Sequence, residues 1–209
     1  MYGVIRQYKI DPEQIGAIVR HCRDPFLPGL SKTLGFVSWT LMDAGSDLIT
    51  VSIFDDALEA DNAAGWYREN QAALELGKPR VTRGPIVVHH VQEHVPAGYG
   101  LFWRFTFGAA GAERAMRHLR DGFRPLVGGI SNFASYEAID TGAGSCVLLC
   151  AFKNQESAEA ANARTTAWLN ENLAGLVSGP PEFIVAEIRL RTSKHAQEDE
   201  SAVPLRADA

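Results

Sequence analysis

Apolar and polar residues alternate along residues 2–10 (YGVIRQYKI), 35–42 and 47–54, the period of a β-strand that sends neighbouring side chains to opposite faces. Between the first two stretches, Asp11-Pro12 supplies a cap and a first-turn proline. Ile15, Ile18, Val19 and Cys22 then recur at helical spacing, which predicts a helix ending near Pro25. Asp43-Ala44-Gly45-Ser46 reads as a hairpin connection. A second helix is expected from Asp55 or Asp56 to about Leu76, and a fourth strand over 86–91 after the breaker pair Gly84-Pro85. The order is β-α-β-β-α-β.

The same pattern is then written again. Residues 20–28 (RHCRDPFLP) match 117–125 (RHLRDGFRP), Tyr2-Gly3 matches Tyr99-Gly100, and Phe36, Ser38, Asp43 and Gly45 match Phe133, Ser135, Asp140 and Gly142. The string WxxENxAxL occurs from Trp66 and from Trp168, and Gly84-Pro85 is matched with Gly179-Pro180. A repeat of this length means one structural unit used twice. The fold class expected is α+β, with two tandem ferredoxin-like (βαββαβ) modules over 1–97 and 98–192, each a four-stranded antiparallel sheet carrying both helices on one face. Val4, Tyr8 and Ile10 make one face of the first strand apolar and Ile5 the other; Leu101, Phe105, Phe107 and Phe102 repeat this. Both faces therefore need cover, and packing the modules sheet to sheet as an intramolecular, pseudo-dimeric α/β barrel supplies it. Residues 193–209, charged and without periodicity, are expected to form a disordered C-terminal tail.

Composition narrows the partners. The chain has 209 residues, 46% of them hydrophobic, and a formal charge of −5 with its basic residues scattered, so no nucleic-acid partner is expected. No apolar stretch approaches the roughly 20 residues of a membrane span, and a cytoplasmic protein without a membrane partner is expected. Cys22, Cys146 and Cys150 are too few and unevenly placed for a disulfide framework and read as buried structural residues.

The doubled layout, the segment FDDALEADNAAGW after the third strand and a tryptophan on the second helix resemble the antibiotic-biosynthesis-monooxygenase-like (ABM) modules of the dimeric α/β-barrel superfamily, over residues 1–192. The resemblance implies a choice among cofactor-independent monooxygenases of polycyclic aromatic phenols, haem-degrading enzymes and modules of no established activity, because the fold alone selects no reaction. In the resembling monooxygenases an asparagine and a tryptophan one helical turn apart line the substrate cavity, and Asn62 and Trp66 match them. Those two lie about 40° apart on one helical face, with Leu58 and Ala73 beside them, so that face is expected to look inward. A structural reading stands next to this one, with Trp66 in the core and Asn62 bonded to a strand end. The second unit keeps Trp168 but carries Arg164 four residues before it.

Cofactor-free oxygenation has to stabilise a phenolate or enolate that gives an electron to dioxygen, which calls for positive charge or hydrogen-bond donors at the oxyanion. Asn62, Trp66 and Arg83 are the catalytic candidates, Arg83 placed just before the fourth strand. Arg6, Trp39, Tyr67 and Trp168 are the substrate-binding candidates, and no cofactor is called for. A loop arginine such as Arg83 is also compatible with a solvated surface charge. His21 and His118 recur, but each flanks its helix's apolar face, and the RHxRDxFxP block reads as a helix C-terminus followed by a proline stop. His89 and His90 point to opposite faces of a strand and His90 and His94 lie about 13 Å apart along it, so no metal site is expected. Haem degradation would need an asparagine on the first strand and a histidine about three turns past the tryptophan, where Gln7 and Leu76 stand.

The reading that results is oxidation of a small aromatic or polyketide-type phenol. Its rivals are a non-catalytic ligand-binding or stress-associated barrel holding a small apolar molecule and, further off, a lactone-isomerase type of proton transfer, for which His21 would have to turn inward. Further association into a homo-oligomer is left open.

Overall fold

Eight strands close into one antiparallel barrel, in the order β1-β3-β2-β8-β5-β7-β6-β4. The structure is a computed structural model and describes residues 1–92, 94–108 and 111–194. The strands are β1 (Tyr2–Lys9), β2 (Phe36–Asp43), β3 (Asp47–Phe54), β4 (Arg80–Val91), β5 (Tyr99–Thr106), β6 (Phe133–Gly142), β7 (Ser145–Phe152) and β8 (Glu182–Ser193). The helices are α1 (Ile15–His21), α2 (Leu27–Leu30), α3 (Ala57–Asn62), α4 (Ala64–Ala73), α5 (Ala112–His118), α6 (Arg124–Gly128) and α7 (Gln155–Asn172). The chain is thus a mixed α+β protein, and no helix among the described residues is long and apolar enough to cross a membrane.

The period-2 pattern produces three cores rather than one. Val4 and Tyr8 of β1, with Ile10 just past its end, point outward under α1 to α4, while Leu101, Phe105 and Phe107 do the same under α5 to α7. The alternate residues Ile5 and Phe102 face the barrel lumen and meet Met42, Ile49, Val147 and Ile188 there. The strands β3 and β7, with helices on one side and the lumen on the other, are buried along nearly their whole length.

Closure depends on β4 and β8. Residues 80–85 of β4 pair with β1 and residues 86–91 with β6. Residues 182–187 of β8 pair with β5, and its C-terminal half pairs with β2. The pair Gly84-Pro85, expected to bound a loop, therefore lies inside β4 at the change of partner. A Cβ on Gly84 would be driven into the carbonyl oxygen of Asp140, so only glycine lets β6 approach. The registers Tyr2↔Pro85 and Tyr99↔Glu187 also show that Gly179-Pro180 is not the structural counterpart of Gly84-Pro85. The strand β8 runs through Ser193, the first residue of the expected tail, and residues 195–209 lie outside the described residues.

The duplicated blocks are devices of local geometry. Asp43 and Asp140 each accept from the backbone N–H two residues on, at 2.9 Å in both, and Gly45 and Gly142 take the left-handed backbone of the hairpin turn at φ +78° and +76°. The RHxRDxFxP block does not end a helix. In each half it carries a π turn, Cys22–Phe26 and Leu119–Phe123, from which the helix resumes as α2 and α6. The wider turn, closed by the Leu27 N–H on the Cys22 carbonyl, accommodates Pro25, which has no N–H to give.

Gly84→Ala is expected to destabilise the protein by about 2–3 kcal/mol in denaturant unfolding, the range for an enforced backbone clash. Gly77→Ala, whose Cβ meets nothing within 4 Å, is expected to stay within about 0.5 kcal/mol of the parent. Equal midpoints for the two variants would contradict the assigned crossover.

Candidate functional site

The second-helix region is two helices, and their inward face is set by small residues. Ala60, Ala63 and Tyr67 are buried, whereas Leu58 is 66% exposed and Ala73 is exposed. Alanines let the backbone of α3 lie close on the sheet, and this rotates the larger Leu58 off it. Asn62 turns out to solvent with it, and its Nδ2 donates to Glu59 Oε2 at 3.3 Å. Trp66 is half-buried and packs on the π turn: its Nε1 donates to the Phe26 carbonyl at 3.2 Å, its ring stacks on Phe26, and Gly29 leaves room for it. Trp168 occupies the matching place beside Phe123, over Gly122. Arg83 lies within β4, exposed, and pairs with Asp61 at 2.5 Å. The structure therefore does not bring Asn62, Trp66 and Arg83 together around a cavity.

It does bring together Arg6, Tyr67 and Trp39. A narrow cavity of about 30 Å³ lies between α1, α4 and the outer face of the first-half strands, lined among others by Tyr8, His21, Trp39, Thr50, Tyr67 and Asn70. Trp39 Nε1 and Thr50 Oγ1 on its wall are buried with no hydrogen-bond partner among the described residues. A cavity of this size holds about one water, and unpartnered buried polar atoms are rare enough that each calls for an occupant.

Beneath Tyr67 lies Arg6, 7% exposed, with its guanidinium 3.6 Å from the Tyr67 ring centroid. Its Nη1 is 3.4 Å from Ser52 Oγ, which is 2.5 Å from the Tyr67 hydroxyl. No carboxylate pairs with Arg6 among the described residues. Burial lowers the Arg6 pKa, opposed by Tyr67 and Tyr8, and the same burial pushes the Tyr67 and Tyr8 phenols up. Burial also pushes the Cys22 thiol up to about 12, which makes it inert as a nucleophile.

His21, the last residue of α1, lines the cavity, with Nε2 2.9 Å from Asn70 Oδ1. Asn70 Nδ2 donates to the Trp66 carbonyl at 2.8 Å, which fixes Oδ1 as an acceptor and places a proton on His21 Nε2. In that tautomer Nδ1 is the acceptor nitrogen of the ring. The repeat in WxxENxAxL thus has a role: Asn172 donates to the Trp168 carbonyl in the same way, though no bond joins it to His118 among the described residues.

The strand registers allow the two halves to be matched position by position. Arg6, Thr50, Ser52 and Trp39 correspond to Trp103, Leu148, Cys150 and Tyr136, and Tyr67, next to its tryptophan, corresponds to Leu169. The second half fills the space with Leu148, Cys150, Leu169, Trp103 and Tyr136, whose hydroxyl donates to the Leu119 carbonyl, and all five of these are buried. At these matched positions of the helix layers, the polar groups facing a cavity belong to the first half. Ala60, Ala63, Tyr67 and Leu74 fall at helical spacing in the sequence, and that run was the signal for the correct face. Among the described residues no group of three or more His, Cys, Asp or Glu could hold a metal ion.

No known protein family and no curated protein matches the chain. Solved structures do. A candidate monooxygenase from Lactobacillus acidophilus aligns at a TM-score of 0.73 with 10% identity, over 92% of this chain and 96% of the other. An anthrone oxidase-like protein aligns at 0.66 with 12% identity, over 92% and 93%. A candidate chlorite dismutase aligns at 0.62 with 11% identity, over 90% and 94%. At these identities the likeness is one of fold.

Arg6→Met tests whether the buried cation is structural. Leaving a guanidinium without a carboxylate in the layer costs several kcal/mol of desolvation. Stacking on Tyr67 returns up to about 2 kcal/mol, and one long hydrogen bond about 1 kcal/mol. The variant is therefore expected to be as stable as the parent or more stable by about 1–2 kcal/mol in urea. A clear loss of stability would make Arg6 a structural strut.

Proposed function

We propose that the first half carries a small-molecule site in its helix layer, and that the chain is a tandem duplication of ABM-like ferredoxin modules in which one copy kept the site. The reaction it fits best is cofactor-independent oxidation of a small aromatic or polyketide-type phenol by dioxygen. The observation that carries this is the asymmetry of the helix layers: Arg6, Thr50, Ser52 and Tyr67 stand in one half where Trp103, Leu148, Cys150 and Leu169 stand in the other. The neighbours named as a monooxygenase and as anthrone oxidase-like support the reading at the level of fold.

The chemistry asks for a base, an oxyanion site and exclusion of water. With Tyr8, Cys22 and Tyr67 all pushed up by burial, His21 Nδ1 is the proton acceptor of the cavity. The Trp39 N–H and Thr50 hydroxyl, which lack partners, donate to the oxyanion, and Arg6 beneath Tyr67 adds positive potential without competing for a proton. In an anthrone-like substrate a ring CH₂ becomes C=O. One atom of dioxygen goes to that carbon and the other leaves as water, so the reaction balances without an external reductant.

Size limits the substrate. A cavity of about 30 Å³ has to open before a ring enters, since ligand sites of drug-sized molecules run to about 300 Å³ or more. Gln71, Leu74 and Leu76, which form its wall at the end of α4, are the residues to yield; Glu75 between them has φ +53°. The same narrowness favours the second reading, a barrel that binds a small ligand without turning it over.

Oxygen uptake with a panel of one-ring quinols and anthrones distinguishes these. Thr50→Val and His21→Phe are expected to lower the rate at least tenfold, while Asn62→Ala and Arg83→Ala leave it within about twofold. Thermal stabilisation by a panel member without oxygen uptake would establish the binding reading, and equal rates in all four variants would remove the site.

A further inference from the structure

The lumen of the barrel holds a second polar cluster, on the opposite side of the sheet from the site above. His89 and Glu137 are directly paired across β4 and β6, and Arg191 reaches them from β8 across the lumen. Arg191 Nη1 donates to Ser135 Oγ at 3.0 Å, and Ser135 Oγ donates to Glu137 Oε2 at 3.3 Å. The other oxygen, Oε1, lies 3.8 Å from both His89 Nδ1 and Arg191 Nη2. These are ion-pair distances without a hydrogen bond, and His89 Nδ1 is buried with no partner. Glu137 itself is 91% buried as a side chain, with 9% exposed.

Two spaces meet at this cluster. Behind it is a small lumen cavity of about 30 Å³ lined by Ser135, Glu137 and Arg191, and in front a groove of about 960 Å³ runs out to the barrel mouth. Ser38, Ile188 and Arg191 line both. Val37, Val91, Val95 and Leu190 give the groove an apolar wall, and its charged residues are Arg189, Arg191 and Lys194 against Asp55. Arg189 is already engaged by Glu187 at 2.9 Å and by Asp43 at 4.0 Å, which leaves Arg191 and His89 as the inner donors. In a chain of net charge −5, such a groove concentrates anions.

We propose that the barrel mouth is a second small-molecule site, which takes an organic monocarboxylate with an apolar body. The carboxylate sits between Arg191 and His89 Nδ1, and the hydrocarbon lies along Val37, Val91, Val95 and Leu190. Glu137 is already engaged, with Oε2 accepting from Ser135 Oγ and Oε1 facing Arg191 Nη2, which offsets its charge toward a ligand; burial raises its pKa against the opposing effects of Arg191 and the Ser135 hydrogen bond. The site needs strands from both halves of the chain. Its residues are also unequal where the halves correspond: the registers put Glu137 opposite Thr40 in kind, and His89 opposite Arg191. A barrel of two identical subunits could not hold this one-sided arrangement.

Calorimetric titration of the full chain with octanoate, octanol and octylamine tests the proposal by head group alone. Octanoate is expected to bind one to one and at least tenfold more tightly than either of the others. Arg191→Gln is expected to cost octanoate at least tenfold and octanol less than twofold. Thr50→Val, on the wall of the helix-layer cavity, is expected to leave octanoate binding unchanged, so failure here and failure of the oxygenase reading are separate results. Equal affinity for the three head groups, no heat with octanoate, or a loss in Thr50→Val as large as that in Arg191→Gln would each overturn it. If Arg191→Gln does not fold, the comparison of head groups on the parent protein decides.

Discussion

The structure depends on the partner change made halfway along β4 and β8. A four-stranded sheet covered by helices on one side leaves an apolar face and two open edges, each a source of aggregation. By crossing from β1 to β6, and from β5 to β2, the two 12-residue strands close both edges and turn the two inner faces into a lumen. Gly84 marks how tightly this is done, because the β6 backbone stands where a side chain would be. With the edges satisfied inside the barrel, the helices are left only the outer faces to cover.

That division frees the outer layers to differ. Both helix layers obey the same frame of π turn, tryptophan packed against the phenylalanine of that turn and asparagine bonded back to the tryptophan carbonyl. Within that frame the second half packs Trp103, Leu148, Cys150 and Leu169, an apolar layer that adds stability and offers no chemistry. The first half holds a buried guanidinium without a carboxylate and two polar atoms without partners. A layer built for stability alone would have neither, since each costs free energy that hydrophobic packing at the same positions would return. The apolar half is therefore the scaffold against which the polar half is tolerated.

Much of the architecture was legible because it rests on periodicity and local turn chemistry. Alternation in YGVIRQYKI gives both faces of β1 correctly, and Asp43 with Gly45, repeated as Asp140 with Gly142, locates both hairpins. Local signals misled where two principles compete. Pro25 reads as a stop because proline ends an α-helix, but a π turn has a place for a residue with no N–H. Leu58 and Trp66 dominate a helical wheel by size, yet Ala60 and Ala63 face the sheet because close approach rewards small side chains. The same one-residue error of phase placed Asn62 inward. Arg6 and Tyr67 could each be listed as site candidates, but their stacking joins β1 to α4 across sixty-odd positions and only tertiary structure reveals it.

Repetition in the sequence and function in the structure run in opposite directions here. The residues shared by the two halves, His21 with His118 excepted in its partner, serve turns, caps and helix packing. The polar residues in which the halves differ, Arg6, Ser52 and Tyr67 in the helix layer and His89 with Glu137 in the lumen, are those on which the two proposed sites rest. In a barrel of two identical subunits, any polar group placed in the lumen near the symmetry axis arrives twice, and two like charges would meet there. Joining the halves in one chain removes that constraint, so a single carboxylate can face a single guanidinium and a single imidazole. The covalent link therefore does more than raise the local concentration of the second half: it permits an asymmetric interior.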